Sequence, residues 1–123
     1  LLTQILAKQI AIASFTQTNL SNANLSNACL QQVFLNKAIL QSAILISADL
    51  SFSCQVTHGS CDSANFSNAN LTNAKLEYCD LMKANLTRVN LHGANLTGTD
   101  LRGIILQQVE YDENTIWPPD FVP

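Results

Sequence analysis

From Asp62 to Leu106 a large apolar residue returns at every fifth position: Phe66, Leu71, Leu76, Leu81, Leu86, Leu91, Leu96, Leu101 and Leu106. Two positions before each stands a smaller one: Ala64, Ala69, Ala74, Cys79, Ala84, Val89, Ala94, Thr99 and the larger Ile104. The same frame runs from Phe15 through Leu20, Leu25, Leu30, Leu35, Leu40, Leu45 and Leu50, preceded by Ala13, Thr18, Ala23, Ala28, Val33, Ala38, Ala43 and Ala48. A period of five suits neither a helix nor a strand, so no single regular element carries it. The pair at spacing two is strand-like. Ala69 and Leu71 would face one way across a short extended segment, leaving Asn70, Thr72 and Asn73 to face out or turn a corner. The pattern predicts flat sides joined by tight turns, with the Ala/Leu pairs inside and coils stacked roughly 4.7–4.9 Å apart.

The blocks A-N-L-T-N, A-K-L-E-Y, A-N-L-T-R and A-N-L-T-G closely resemble the pentapeptide repeat family, and the resemblance covers most of the chain. It implies an all-β fold, a right-handed quadrilateral parallel β-helix with four repeats to a coil and about four to five coils over residues 14–111. The four sides and the hand come from the resemblance and not from the period.

Leu1 to Ala13 leaves the frame and gathers Leu2, Ile5, Leu6, Gln9 and Ile10 on one side of a helix, which predicts a short N-terminal capping helix over 1–13. A targeting remnant or a docking helix fits the same residues. Beyond Leu106 the phase continues weakly through Val109 and Tyr111. Residues 112–123, with Trp117, Pro118 and Pro119, cannot extend a ladder and are expected to cap the last coil with aromatic area. The residue two after each large site should turn the corner. Asn22, Asn27, Asn68, Asn73, Gly93, Gly98 and Gly103 suit type II turns, and Lys37, Lys83, Arg88, Gln32 and Ser42 suit type I.

The frame fails once, because Phe66 follows Leu50 by sixteen positions, three repeats plus one. In one register Cys54/Val56 and Gly59/Cys61 fill two degenerate repeats and one residue bulges. In the other, which we favour, residues 51–61 loop out and the coil resumes at Ala64/Phe66 on the side directly after Leu50. Cys54 and Cys61 bracket a turn-like T-H-G-S and form a disulfide candidate, worth about 2–3 kcal/mol of loop-closure entropy. A bond there would place the chain in the periplasm or a thylakoid lumen, and reduced thiols would place it in the cytoplasm. With His58 the pair supplies three zinc ligands where a structural site wants four, so no metal is expected.

Composition narrows the function. Six basic against nine acidic residues, net −3, leave no basic footprint for nucleic acid. No apolar run approaches the roughly eighteen residues of a membrane span, so a soluble chain without a membrane partner is expected. No Ser/His/Asp set or phosphate loop is present, His58 and His92 stand alone, and a flat side offers no cleft, so no cofactor and no catalysis are expected. The Asn and Asp before each large site read as ladders of solvated surface amides. Asp80 and Asp100 are twenty apart and should be neighbours, with Asp49 third in an acidic column if the loop register holds, and Arg102 should pair with Asp100.

Phe34, Ile39, Ile44 and Ile46 break the polar rule and point outward in a belt around one coil, a possible interaction surface unless Phe52 and Val56 fold over Ile44 and Ile46. Some family members imitate the acidic surface of DNA to bind gyrase, and others act in signalling or differentiation. The resemblance and these residues together imply a non-catalytic scaffold acting on an unknown protein partner, as a monomer or weak dimer. A DNA mimic is the alternative, and an enzyme is disfavoured.

Overall fold

The computed structural model describes residues 14–52 and 61–123. Its backbone returns upon itself every twenty residues in parallel bridges: Ser14 to Phe34, Asn19 to Ile39, Asn24 to Ile44 and Cys29 to Asp49 open four successive sides. The first side continues through Asp80 and Asp100, the second through Asn65, Asn85 and Ile105, the third through Asn70, Asn90 and Glu110, and the fourth through Lys75, Asn95 and Ile116. Each bridge is reciprocal. On the second side the Leu20 N–H donates to the Ile39 carbonyl at 2.7 Å, and the Ile39 N–H donates to the Thr18 carbonyl at 2.9 Å. The fold is a four-sided parallel β-solenoid without a helix among the described residues.

The period of five follows from what lies inside. Leu25, Leu45, Leu71 and Leu91 stack in one fully buried column, and Ala28, Ala48, Ala74 and Ala94 in another. Polar occupants of the small column are satisfied through carbonyls that the turn leaves half used. Thr99 Oγ1 donates to the Leu76 carbonyl at 2.7 Å, Thr115 Oγ1 to that of Leu91 at 2.8 Å, and Cys79 Sγ to that of Leu50 at 2.8 Å.

The corners differ from the expectation of two turn types. Gln17, Gln32, Lys37, Ser42, Lys83 and Arg88 hold positive φ of 55–61°, as do the asparagines, and the glycines hold 68–70°. With the bond from each small-site N–H to the preceding large-site carbonyl, as from Ala43 to Leu40 at 3.0 Å, these are type II corners. The left-handed conformation costs a non-glycine residue about 1–2 kcal/mol. The ladder imposes it nonetheless, because a different corner would turn the next Ala/Leu pair out of the core. Two glycines make room as well. A Cβ on Gly98 would come within 2.5 Å of the Tyr78 ring, and one on Gly103 within 3.3 Å of the Lys83 side chain.

Neither expected register is adopted whole across the break: Cys61 does take a large inward site, as in the first, but one side and not two separates Leu50 from Phe66. Asn65 bridges Ile39, Asn70 bridges Ile44 and Lys75 bridges Asp49, each 26 positions apart, so this coil holds six residues more than the twenty of its neighbours. Phe66 therefore does not follow Leu50 directly; the first side intervenes. There Cys61 is fully buried, with the Lys37 N–H donating to the Asp62 carbonyl and the Ala64 N–H to that of Cys61, each at 3.0 Å. Cysteine serves as a small hydrophobe in a leucine site, and the larger Phe66 occupies the next side of the same coil. The capping helix expected over 1–13 lies outside the described residues, as do Cys54, Val56 and His58.

At the other end the Asn95–Ile116 bridge takes 21 residues, with Thr115 closing on Asp112 by a backbone bond of 3.1 Å. Trp117 and Phe121 pack against the core and stack with centroids 5.3 Å apart, and Tyr111 meets Trp117 edge-on at 5.4 Å.

Candidate interaction surface

Everything the sides present to solvent comes from the bridge residue and the two corner residues after it. A type II corner leaves its second residue's N–H without a backbone acceptor, and a short carboxamide two positions upstream can reach it. Asn and Asp at the bridge position do this throughout. The Oδ1 of Asn19, Asn65, Asn70, Asn85, Asn90 and Asn95 accepts from the N–H of Ser21, Ser67, Thr72, Thr87, His92 and Thr97, each at 3.0 Å. Asp49, Asp80 and Asp100 do the same for Ser51, Met82 and Arg102. Hydroxyls at the second residue reinforce the lock, as Thr72 and Thr97 do at 2.6 Å. The amides expected to be mere solvation thus hold the corners. Asparagine followed by serine or threonine two positions later is the signal that carries this in the sequence.

The device lapses in two coils, at Ile105 and Ile116 in the last and on three successive sides of an inner one. Phe34, Ile39 and Ile44 occupy bridge positions on the first, second and third sides, and Ile46 follows at the corner after the third. None has a side-chain acceptor to offer. Ile39 and Ile44 are 38% exposed and Ile46 36%, while Phe34 is half-buried. Phe52 does not cover them; its ring stacks on Tyr78 at 5.2 Å and 21°, on the corner between the fourth and first sides.

The carboxylates do not form the expected column of three. Asp80 bridges Asp100 on the first side, but Asp49 bridges Cys29 and Lys75 on the fourth, because the coil across the break spans 26 residues and not the 31 that would bring Asp49 over Asp80. Gln31 Nε2 donates to Asp49 at 2.9 Å. Arg102 clasps Asp100 with both Nε and a terminal nitrogen, the latter at 2.6 Å. That clasp, more than the opposing burial, holds the Asp100 carboxyl below its ordinary value and raises the guanidinium further. At the last corner the Asp112 carboxylate stands in for a backbone carbonyl, accepting from the Gly93 N–H at 3.0 Å. This bond, with help from Thr115 and Asn114, lowers the acid's pKa.

The bridge positions of the second side, and of the third as far as Asn90, carry no ionisable group, so no continuous negative face encircles the solenoid. Among the described residues no group of three or more His, Cys, Asp or Glu side chains is placed to hold a metal, and no helix is long and apolar enough to cross a membrane.

The sequence model of the family described as pentapeptide repeats matches in eight copies, over residues 13–36, 18–54 and 64–103. The solved structure of Rfr23, a pentapeptide repeat protein from the cyanobacterium Cyanothece 51142, is similar at a TM-score of 0.75 and 42% identity, over 81% of this chain and 64% of that one. HetL, a pentapeptide repeat protein involved in heterocyst differentiation regulation from the cyanobacterium Nostoc sp. strain PCC 7120, is 31% identical over 93% of this chain and 57% of its own, at a TM-score of 0.38. The chain thus spans less than two thirds of the length of either. Among curated protein sequences none matches.

Proposed function

The chain belongs to the pentapeptide repeat family, and from that premise we propose that it is a non-catalytic scaffold acting by protein contact through the coil of Phe34, Ile39, Ile44 and Ile46. The observation that carries the reading is the run of outward apolar residues on three successive sides of one inner coil, where Ile39 and Ile44 stand between Asn19 and Asn65 and between Asn24 and Asn70 in the ladder. Scattered apolar residues need no explanation, whereas a band of them marks an interaction surface. The right hand of the coil and a helical N-terminal cap belong to the same proposal. So does a compartment set by the thiol state of Cys54 and Cys61. A DNA-mimicking role would need a continuous acidic face, and the amide-covered second and third sides argue against one.

The test is capture of a partner by immobilised protein. Asp at position 44 or 34 can still accept the N–H two residues on, so Ile44→Asp and Phe34→Asp should fold. Both should lose the captured partner, whereas Asn90→Asp on the same side as Ile44 should keep it. Retention by all three, or loss by all three, would remove the belt from the interface.

A further inference from the structure

On the first side the ladder stops while chain is still passing. Asp100 is the last bridge residue there, and residues 118–121 cross below it without bridging to it. In earlier coils the large-site N–H and the small-site carbonyl both pair with the next coil, as Leu81 does with Asp100 and Cys79 with Asp100. Among the described residues the corresponding Leu101 N–H and Thr99 carbonyl make no backbone bond. Pro118 and Pro119 have the wrong chemistry to extend a ladder, having no N–H to give, and the Phe121 N–H is already donated to the Pro118 carbonyl at 3.0 Å while its ring stacks on Trp117. The result is a cleft of about 540 Å³ between Thr99–Arg102 and Pro118–Phe121, within the range of ordinary ligand pockets.

We infer that this cleft is a docking slot for an extended segment of a partner protein that adds as a strand to the Thr99–Arg102 edge and presents a basic side chain to Asp120. An unpaired strand edge recruits an extended chain through main-chain bonds, and pockets beside it choose the side chains. Here Leu101 and Phe121 offer apolar contact to a residue pointing inward. The charge is specified by what is left over: Asp100, Arg102 and Asp120 line the cleft, and Arg102 is committed to Asp100 by its bidentate clasp. Asp120 is the carboxylate without such a partner, and Asp80 lies one coil away on the same side. An acidic segment would meet like charge.

Trp117, the single tryptophan, stacks on the cleft residue Phe121 and reports occupancy by its fluorescence. The probe is a short capped peptide alternating arginine and valine, titrated into the full chain beside a glutamate–valine counterpart and an arginine–valine peptide N-methylated on its strand-pairing amides. The basic peptide should give a saturable change, N-methylation should weaken it about tenfold or more, as the loss of more than one bond to the edge would, and Asp120→Asn should weaken it about two- to fivefold, the range of an exposed ion pair. Asp120 is exposed, so this variant leaves the coil intact. Equal binding of acidic and basic peptides, indifference to N-methylation, or no saturable change would each overturn the inference. A peptide-independent change that grows with protein concentration would overturn it too, since the slot would then be filled by a second copy.

Discussion

The coil of Phe34 to Leu50 and the coil of Asn85 to Leu101 share one backbone and differ in what stands at the bridge positions. In the later coil Asn85, Asn90, Asn95 and Asp100 lock all four following corners. In the earlier one Phe34, Ile39 and Ile44 lock none, and only Asp49 holds its corner through Ser51. Inside, the two coils are nearly interchangeable: Leu45 and Leu91 are equally buried, as are Ala48 and Ala94. The difference teaches that the inward pair determines the fold and that the bridge residue is free to serve either local stability or contact. Three corner locks are given up in the earlier coil for an apolar belt.

The largest expected effect is one in which the two coils should agree. Leu45→Ala and Leu91→Ala each open a cavity in the same column and should each cost about 2–5 kcal/mol in urea unfolding, similar to one another. A large gap between them would mean that the interiors are not equivalent. Next come substitutions that exchange the coils' characters. Asn90→Ala should cost about 0.5–1.5 kcal/mol by freeing the His92 N–H, and Ile44→Asn should gain up to a similar amount by giving the Ile46 N–H an acceptor. The second variant should unfold at higher urea and lose the belt's partner.

The smallest effect is electrostatic. Asp100 has a folded pKa below its ordinary value of 3.8 because of the Arg102 clasp. A depressed carboxylate adds stability that is present above the unfolded value and is lost as pH falls through the folded one. Asp100→Asn keeps the corner lock but removes the ion pair, so its stability should decline less steeply than that of the parent below about pH 4. Urea midpoints across the acid range measure it. The pair is exposed at 78% on the arginine side, so the difference should be slight.

These contrasts also mark what could be read from the residues alone. The inward columns were legible because burial repeats its demand at every coil, so Ala and Leu recur in frame and Cys79 and Thr99 are tolerated within it. The corners were not legible in this way. A glutamine, lysine or arginine alone disfavours positive φ, and only the ladder from coil to coil overrides that preference at Gln32, Lys37 and Arg88. The break is illegible for a related reason. Cys61 looked too small for a leucine site, but it is fully buried there, in the coil that also carries the larger Phe66, and its position moved Asp49 away from Asp80 and Asp100. The belt was legible as outward-facing apolar residues, but the locks it lacks were not, because an outward asparagine serves solvation and a corner N–H equally well and only the folded corner decides between them.

Amide hydrogen exchange resolved by residue is the most direct test of the division between locked and unlocked corners. The N–H groups of Thr87 and His92, accepted by Asn85 and Asn90, should be protected. Those of Gln41 and Ile46, which follow Ile39 and Ile44 at the same two corners two coils earlier, should exchange nearly as fast as exposed amides. Equal protection at the two pairs would contradict the bridge residue's role as the corner lock.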